Sequence, residues 1–177
     1  MAETTVATQP ETFMLPDDGS SIPNNPSLPL LVYRSAIDLA GTPDPAEVIE
    51  SVFGRNGWGD LWRNGIYPFV HYHSKIHEVL GMARGNARVR FGGEQGVTLE
   101  LRGGDVAVLP AGTGHQKLWE TADLLVVGGY PPTGKLDLCR GSRAEYARAR
   151  ESIPRVPLPE TDPVFGAQGP LTTLWTR

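Results

Sequence analysis

Gly65-Ile-Tyr67-Pro-Phe69-Val-His71-Tyr-His73-Ser-Lys-Ile-His77-Glu78-Val-Leu80-Gly-Met82-Ala-Arg-Gly85 places three histidines and a carboxylate within eight residues. The chain of 177 residues has only four histidines, and the fourth, His115, stands in Gly104-Asp-Val-Ala-Val-Leu-Pro110-Ala-Gly112-Thr-Gly-His115. Histidines used as ordinary surface or core residues would be scattered. Neutral imidazole is the commonest protein ligand for borderline metals, with a carboxylate as its usual companion. His71 and His73 are two apart, so on a strand both point to one face. Tyr67, Phe69, Val70 and Tyr72 suit such a strand. The pattern predicts a strand over 67–73, a turn at Ser74-Lys75 and a second strand over 77–84. If the second strand returns antiparallel, Glu78 comes beside the two histidines. A lone His-x-His is more often not a metal site, but Glu78 and a histidine after a Gly/Pro-rich turn supply confirming context. His71, His73, Glu78 and His115 then form a sulfur-free set suited to one divalent transition metal (Fe, Mn, Ni, Co, Cu or Zn) rather than to Ca or Mg.

These residues resemble the two motifs of the cupins. Gly65, His71, His73, Glu78 and Gly85 fill the first: Gly, five residues, His-x-His, three or four residues, Glu, six residues, Gly. Gly104, Pro110, Gly112 and His115 fill the second, with Trp119 where the family has Asn. The wording from about Trp58 onward, Trp62-Arg-Asn-Gly-Ile-Tyr among it, resembles the small YjlB-like branch. The resemblance implies an all-β fold: a single cupin β-barrel (RmlC-like jelly roll) with short peripheral helices and extended N- and C-terminal segments. It also selects Glu78 over His77 as ligand, since neighbours on one strand face opposite ways.

A chain of this length supports one domain with a sizeable core. A formal charge of −4 argues against nucleic acid and acidic membranes as partners. The single cysteine, Cys139, excludes an intrachain disulfide and fits a reducing, cytoplasmic setting. No apolar run reaches membrane-span length, and Met1-Ala-Glu-Thr-Thr lacks the basic start of a signal peptide.

Residues 1–28 read as an extended arm and 29–177 as the single cupin domain, its barrel core at about 65–130. Leu30–Tyr33 is the first expected strand. Asp44, Pro45 and Glu47 open a helix over Pro45–Phe53, with Ile49, Val52 and Phe53 on its buried face. Trp58 and Trp62 read as packing residues first, with pocket contact the alternative for Trp62, which stands close to the first motif. Beyond 84, strands are expected at 86–92, 97–101, 105–109, 114–119 and 123–130. Within 141–177, Ser142 and Glu145 form a capping box opening a helix over Arg143–Glu151. The proline-rich tail that follows is too apolar to be disordered. It is expected to lie on the domain or across a partner, and this apolar tail over 154–175, with the apolar strand at 29–33, leads to the expectation of a homodimer.

Strand parity extends the site. Tyr67 and Phe69 share a face with His71; Leu80 and Met82 share one with Glu78; Lys117 and Trp119 share one with His115. These six make an apolar chamber with few polar groups, the usual make-up of a small-molecule site, although Leu80, Met82 and Trp119 can equally be core. A four-ligand ion leaves positions open for oxygen or a chelating substrate. The expected function is a metal-dependent enzyme on a small organic molecule, an oxygenase first and an isomerase or lyase next. The alternative is a non-catalytic cupin that binds or senses a small ligand.

Overall fold

The computed structural model describes residues 8–177. Among the described residues, nine antiparallel-paired strands run β1 (Glu11–Phe13), β2 (Leu30–Tyr33), β3 (Gly59–Asn64), β4 (Glu78–Arg84), β5 (Asn86–Phe91), β6 (Val97–Arg102), β7 (Val106–Leu109), β8 (His115–Glu120) and β9 (Leu125–Tyr130). They form a six-stranded sheet in the order β1-β2-β7-β4-β9-β3 and a three-stranded sheet in the order β6-β5-β8. This is the all-β jelly roll that the motifs implied. Helix α1 (Pro45–Arg55) follows β2, and α2 (Arg143–Ser152) and the short α3 (Leu171–Leu174) follow β9.

The centre of the larger sheet is buried on both faces, which is why β2 and β7 read as unbroken apolar runs. Leu30, Val32, Leu80, Met82, Ala107 and Val126 face the smaller sheet and pack with Ala87, Val89, Phe91 and Leu101. Leu31, Tyr33, Val79, Val106, Val108 and Val127 face the other way, onto α1 and the tail. Helix α1 starts as expected: Asp44 Oδ1 accepts from the Ala46 and Glu47 amides at 3.2 and 3.3 Å. It seats on Gly81, where a Cβ would meet Ile49 at 2.6 Å and Phe53 at 2.9 Å. Burying Ile49 and Phe53 there contributes roughly 2 kcal/mol each. The capping box of α2 is present, with the Ser142 hydroxyl accepting from the Glu145 amide and Glu145 accepting from the Ser142 amide.

The expected strand over 67–73 does not form. The segment shares its bonds among several partners: Tyr67 with Lys117, His71 with His115, Tyr72 with Cys139, and His73 with Gly112. A ladder cannot build between one pair of strands, so only isolated bridges remain at His71 and Tyr72. Pro68, which has no amide to give, breaks it further. The sheet edge is instead β3, a half-exposed strand whose charges hid it from the pattern.

Of the 1–28 segment, residues 8–28 are described, so the Met1–Thr5 reading lies outside the described residues. β1 extends the larger sheet beside β2. Asn24 and Asn25 grip the turn before His115: Asn24 Oδ1 accepts from the Gly114 amide at 3.0 Å and Asn25 Nδ2 donates to Ala111 O at 2.9 Å. Gly112 in that turn has φ +95°, and a Cβ would lie 2.6 Å from Asn24 O. Only glycine meets both demands. The tail lies on its own chain: Val156, Val164, Leu171 and Trp175 are buried, and the Trp175 indole donates to Pro29 O at 2.9 Å. No helix among the described residues is long and apolar enough to cross a membrane.

Candidate metal centre

His71 and His115 exchange backbone hydrogen bonds, 3.2 Å one way and 2.9 Å the other. That bridge sets their rings 4.0 Å apart, centroid to centroid. Each of the three site imidazoles turns Nδ1 to a main-chain carbonyl: His71 to Phe69 O at 3.1 Å, His115 to Thr113 O at 3.0 Å, and His73 to Asp137 O. A carbonyl only accepts, so we assign a proton to Nδ1 of each ring; in the neutral form that leaves Nε2 as the lone pair. One donor atom from each of His71, His73 and His115 lies within 4.8 Å of the other two.

Glu78 opens β4 and is 4% exposed. Its Oε2 lies 3.3 Å from Nε2 of both His73 and His115, yet it has no hydrogen-bond partner among the described residues. The mutually close group comprises the imidazoles alone, with Glu78 set on the side of His73 and His115. Neutral rings would turn lone pairs onto the carboxylate, a repulsion relieved only by a proton or a metal cation among them. The electrostatics register that demand. Burial opposes charge on His73, but the Glu78 carboxylate reverses it and raises the ring's pKa well above its ordinary value. Burial likewise opposes charge on Glu78, and His73 with His115 hold it far below the carboxylate range. Burial and His115 push His71 down to about 3. Imidazole nitrogens with an orphaned, buried carboxylate oxygen fit a divalent ion.

The site opens into a cavity of about 770 Å³ that reaches the surface beside half-exposed Leu136, Leu138 and Tyr67. Of the six expected pocket residues, Tyr67, Leu80 and Lys117 line it. Phe69 stands behind, stacked on Tyr67 at 4.7 Å and edge-on to His71 at 5.7 Å, with the Arg140 guanidinium 3.9 Å from its centroid. Met82 has the expected parity but is fully buried between the sheets. Trp119 is 47% exposed and lies outside the cavity wall. Pairing steps from Val89–Lys117 to Arg88–Trp119, so Leu118 is the extra residue of a β-bulge. One inserted residue reverses which face later side chains take. Glu120 therefore lines the cavity in place of Trp119, and its carboxylate meets the Lys117 ammonium at 2.7 Å.

Trp62, for which packing was the first expectation and pocket contact the alternative, lines the cavity, and its indole donates to the Tyr130 hydroxyl at 3.0 Å. It lies over Gly128, where a Cβ would come within 2.0 Å of the indole. Asp137 and Tyr130 carried no sequence signal for the site. Asp137 arrives on a loop after the last strand, and Tyr130 follows two glycines at a strand end.

His77 is placed away from the centre. Its Nδ1 accepts from the Ala111 amide at 2.9 Å, its Nε2 donates to Pro157 O at 3.1 Å, and its ring meets Trp175 at 4.8 Å. Burial pushes its pKa down to about 4. The unfolded chain protonates this residue near 6.5 and the native chain resists to about 4, so stability is lost as pH falls through that window. The loss at its acid end is about 3 kcal/mol. His77→Ala is expected to cost about 2–4 kcal/mol by orphaning the Ala111 amide and Pro157 carbonyl, and to flatten that acid dependence in urea titrations. Metal content of the folded variant should match wild type; its loss there would make His77 a ligand.

No family model matches the chain. Among curated proteins, the uncharacterised protein YjlB of Bacillus subtilis (strain 168) is 38% identical over 167 residues, spanning 94% of this chain and 97% of its own. Among solved structures, acireductone dioxygenase from Bacillus anthracis, with cadmium in its active centre, is 16% identical at TM-score 0.40, covering 59% of this chain and 80% of that one. A DUF861-family protein from Thermotoga maritima is 18% identical at TM-score 0.34, covering 61% of this chain and 99% of its own. The match to YjlB runs over nearly the whole of both chains, and the two motifs meet at one point inside an antiparallel two-sheet barrel: the chain belongs to the YjlB family of cupins.

Proposed function

We propose that the protein is a cytoplasmic, metal-dependent enzyme acting on a small organic molecule, with oxygenase chemistry the first candidate and isomerase or lyase chemistry next. His71, His73, His115 and Glu78 hold one divalent transition-metal ion. The observation that carries the reading is the convergence of three imidazole nitrogens and a buried carboxylate oxygen on the wall of a surface-reaching cavity. The ion, when bound, supplies Lewis-acid activation. The chain supplies the rest. Leu80, Ile66 and Leu124 give the chamber apolar walls that exclude water. Lys117, tethered by Glu120, offers an ammonium to a polar substrate end. The Tyr130 hydroxyl accepts from Trp62, so its own proton is directed elsewhere. Burial and the charge of Glu78 raise its pKa to about 12, which keeps it a hydrogen-bond donor at neutral pH.

Metal analysis of the native protein, followed by oxygen-uptake screening against small acids, phenols and diketones, tests this. A stoichiometric transition metal with metal-dependent turnover supports the enzyme. Turnover unchanged after metal removal overturns it. A bound metal with ligand binding but no turnover selects the binding cupin. The homodimer expected from the apolar 29–33 strand and the tail is a separate proposal; residues of both pack within this one chain, and light scattering at micromolar concentration tests it.

A further inference from the structure

His71 and His115 find their Nδ1 partners two residues back in their own segments, where local geometry supplies them. His73 does not. Its Nδ1 partner is the carbonyl of Asp137, 64 residues further on. We propose that Asp137 is a positioning residue for the metal centre: its carboxylate clamps the chain so that its own carbonyl holds the His73 Nδ1 proton and aims Nε2 at the ion. This rests on the metal-site reading above.

The clamp is built on both carboxylate oxygens. Oδ1 accepts from the Ser74 and Lys75 amides at 2.9 and 3.2 Å. Oδ2 accepts from the Ser74 hydroxyl at 2.6 Å and the Cys139 thiol at 3.4 Å. Main-chain bonds tie down both flanks: the Lys135 amide donates to Lys75 O at 3.1 Å, and Tyr72 and Cys139 exchange bonds at 3.0 and 2.9 Å. The residue that follows His73 is thus gripped by the side chain whose main chain holds the His73 ring. Leu136 and Leu138, on either side of Asp137, form part of the cavity mouth. One carboxylate therefore sets both a metal-directed ring and the wall a substrate passes. Hydrogen bonds to the far nitrogen of a ligating imidazole fix its tautomer and direction, and their loss weakens metal affinity about 10–100-fold.

The test compares Asp137→Ala, Asp137→Asn and Ser74→Ala with wild type by two readouts. One is the dissociation constant for Zn²⁺, from chelator competition on folded protein. The other is the solvent exchange of each imidazole Nδ1–H, from ¹⁵N-coupled spectra of metal-free and zinc-loaded protein. Asp137→Ala should bind Zn²⁺ about 10–100-fold more weakly and lose the protected His73 Nδ1–H, while His71 and His115 keep theirs. Asp137→Asn, which keeps an acceptor for the two amides, should recover part of both. Ser74→Ala should move both readouts less, in the same direction. Wild-type affinity with three protected protons in the folded Asp137→Ala protein overturns the proposal, as does equal loosening of all three rings. Should Asp137→Ala fail to fold, Asp137→Asn and Ser74→Ala decide on the same readouts. If wild type itself binds no Zn²⁺, the metal-site reading fails, and the metal-free exchange data still judge the clamp.

Discussion

His115→Ala is expected to weaken retention of a divalent ion about a hundred-fold while leaving the fold in place. Structural zinc sites are held by roughly 10–16 kcal/mol. Spread over four donors, that is about 3 kcal/mol for each, or about two powers of ten in affinity. His115 is 2% exposed at the start of β8, but the barrel does not depend on its ring, since the core between the sheets is made by residues such as Leu80, Val89 and Phe91. Equilibrium dialysis should show the loss, with far-ultraviolet circular dichroism unchanged. His73→Ala should behave alike. The opposite result, metal retained in His115→Ala and lost in folded His77→Ala, would sink the ligand set. A pH dependence follows with its sign. Without metal, the Glu78 carboxylate keeps a proton on His73 well above the ordinary histidine range. Metal must displace that proton, so affinity should rise about ten-fold per pH unit while His73 holds it. A flat profile between pH 6 and 8 would place the proton elsewhere.

Asp162→Ala should have the largest effect on stability, about 4 kcal/mol, seen as a fall in Tm of roughly 10 °C for a chain of this size. Asp162 is fully buried. Its carboxylate accepts from the Tyr33 hydroxyl and from the amides of Val164, Phe165 and Leu171 at 2.8, 3.1 and 3.1 Å. It thus gathers the tail and joins it to β2 through Tyr33. Burial, then the Asp162 charge, hold Tyr33 protonated far beyond its ordinary range, so the hydroxyl stays a donor. Removing the carboxylate strands the Val164 and Leu171 amides in the core, and each orphan costs about 1–3 kcal/mol. The costs are not fully additive, because the three amides share one acceptor. Tyr33→Phe removes one donor only and should cost about 1–2 kcal/mol. A chemical-denaturation difference below about 1 kcal/mol for Asp162→Ala would show that the tail is held by apolar contact alone.

What the amino-acid sequence determined by itself is what short-range backbone geometry can encode. Two-residue spacing set His71 and His73 as companions. Alternation separated Leu30 and Val32 from Leu31 and Tyr33. Asp44-Pro45 and the Ser142–Glu145 box started two helices where they were expected. Only the tertiary structure decided the rest, because it turns on contacts between distant segments. The bulge at Leu118 appears only when β8 pairs with β5, and it moves Trp119 out and Glu120 in. The segment over 67–73 lost its ladder to competing partners at Lys117, His115, Gly112 and Cys139. His77 and His73 are alike in sequence, yet one is spent on the Ala111 amide and Pro157 carbonyl and the other is turned to the centre by Asp137. Local spacing fixes which way a side chain points along its own strand; which neighbour it meets there depends on chain closure over many tens of residues.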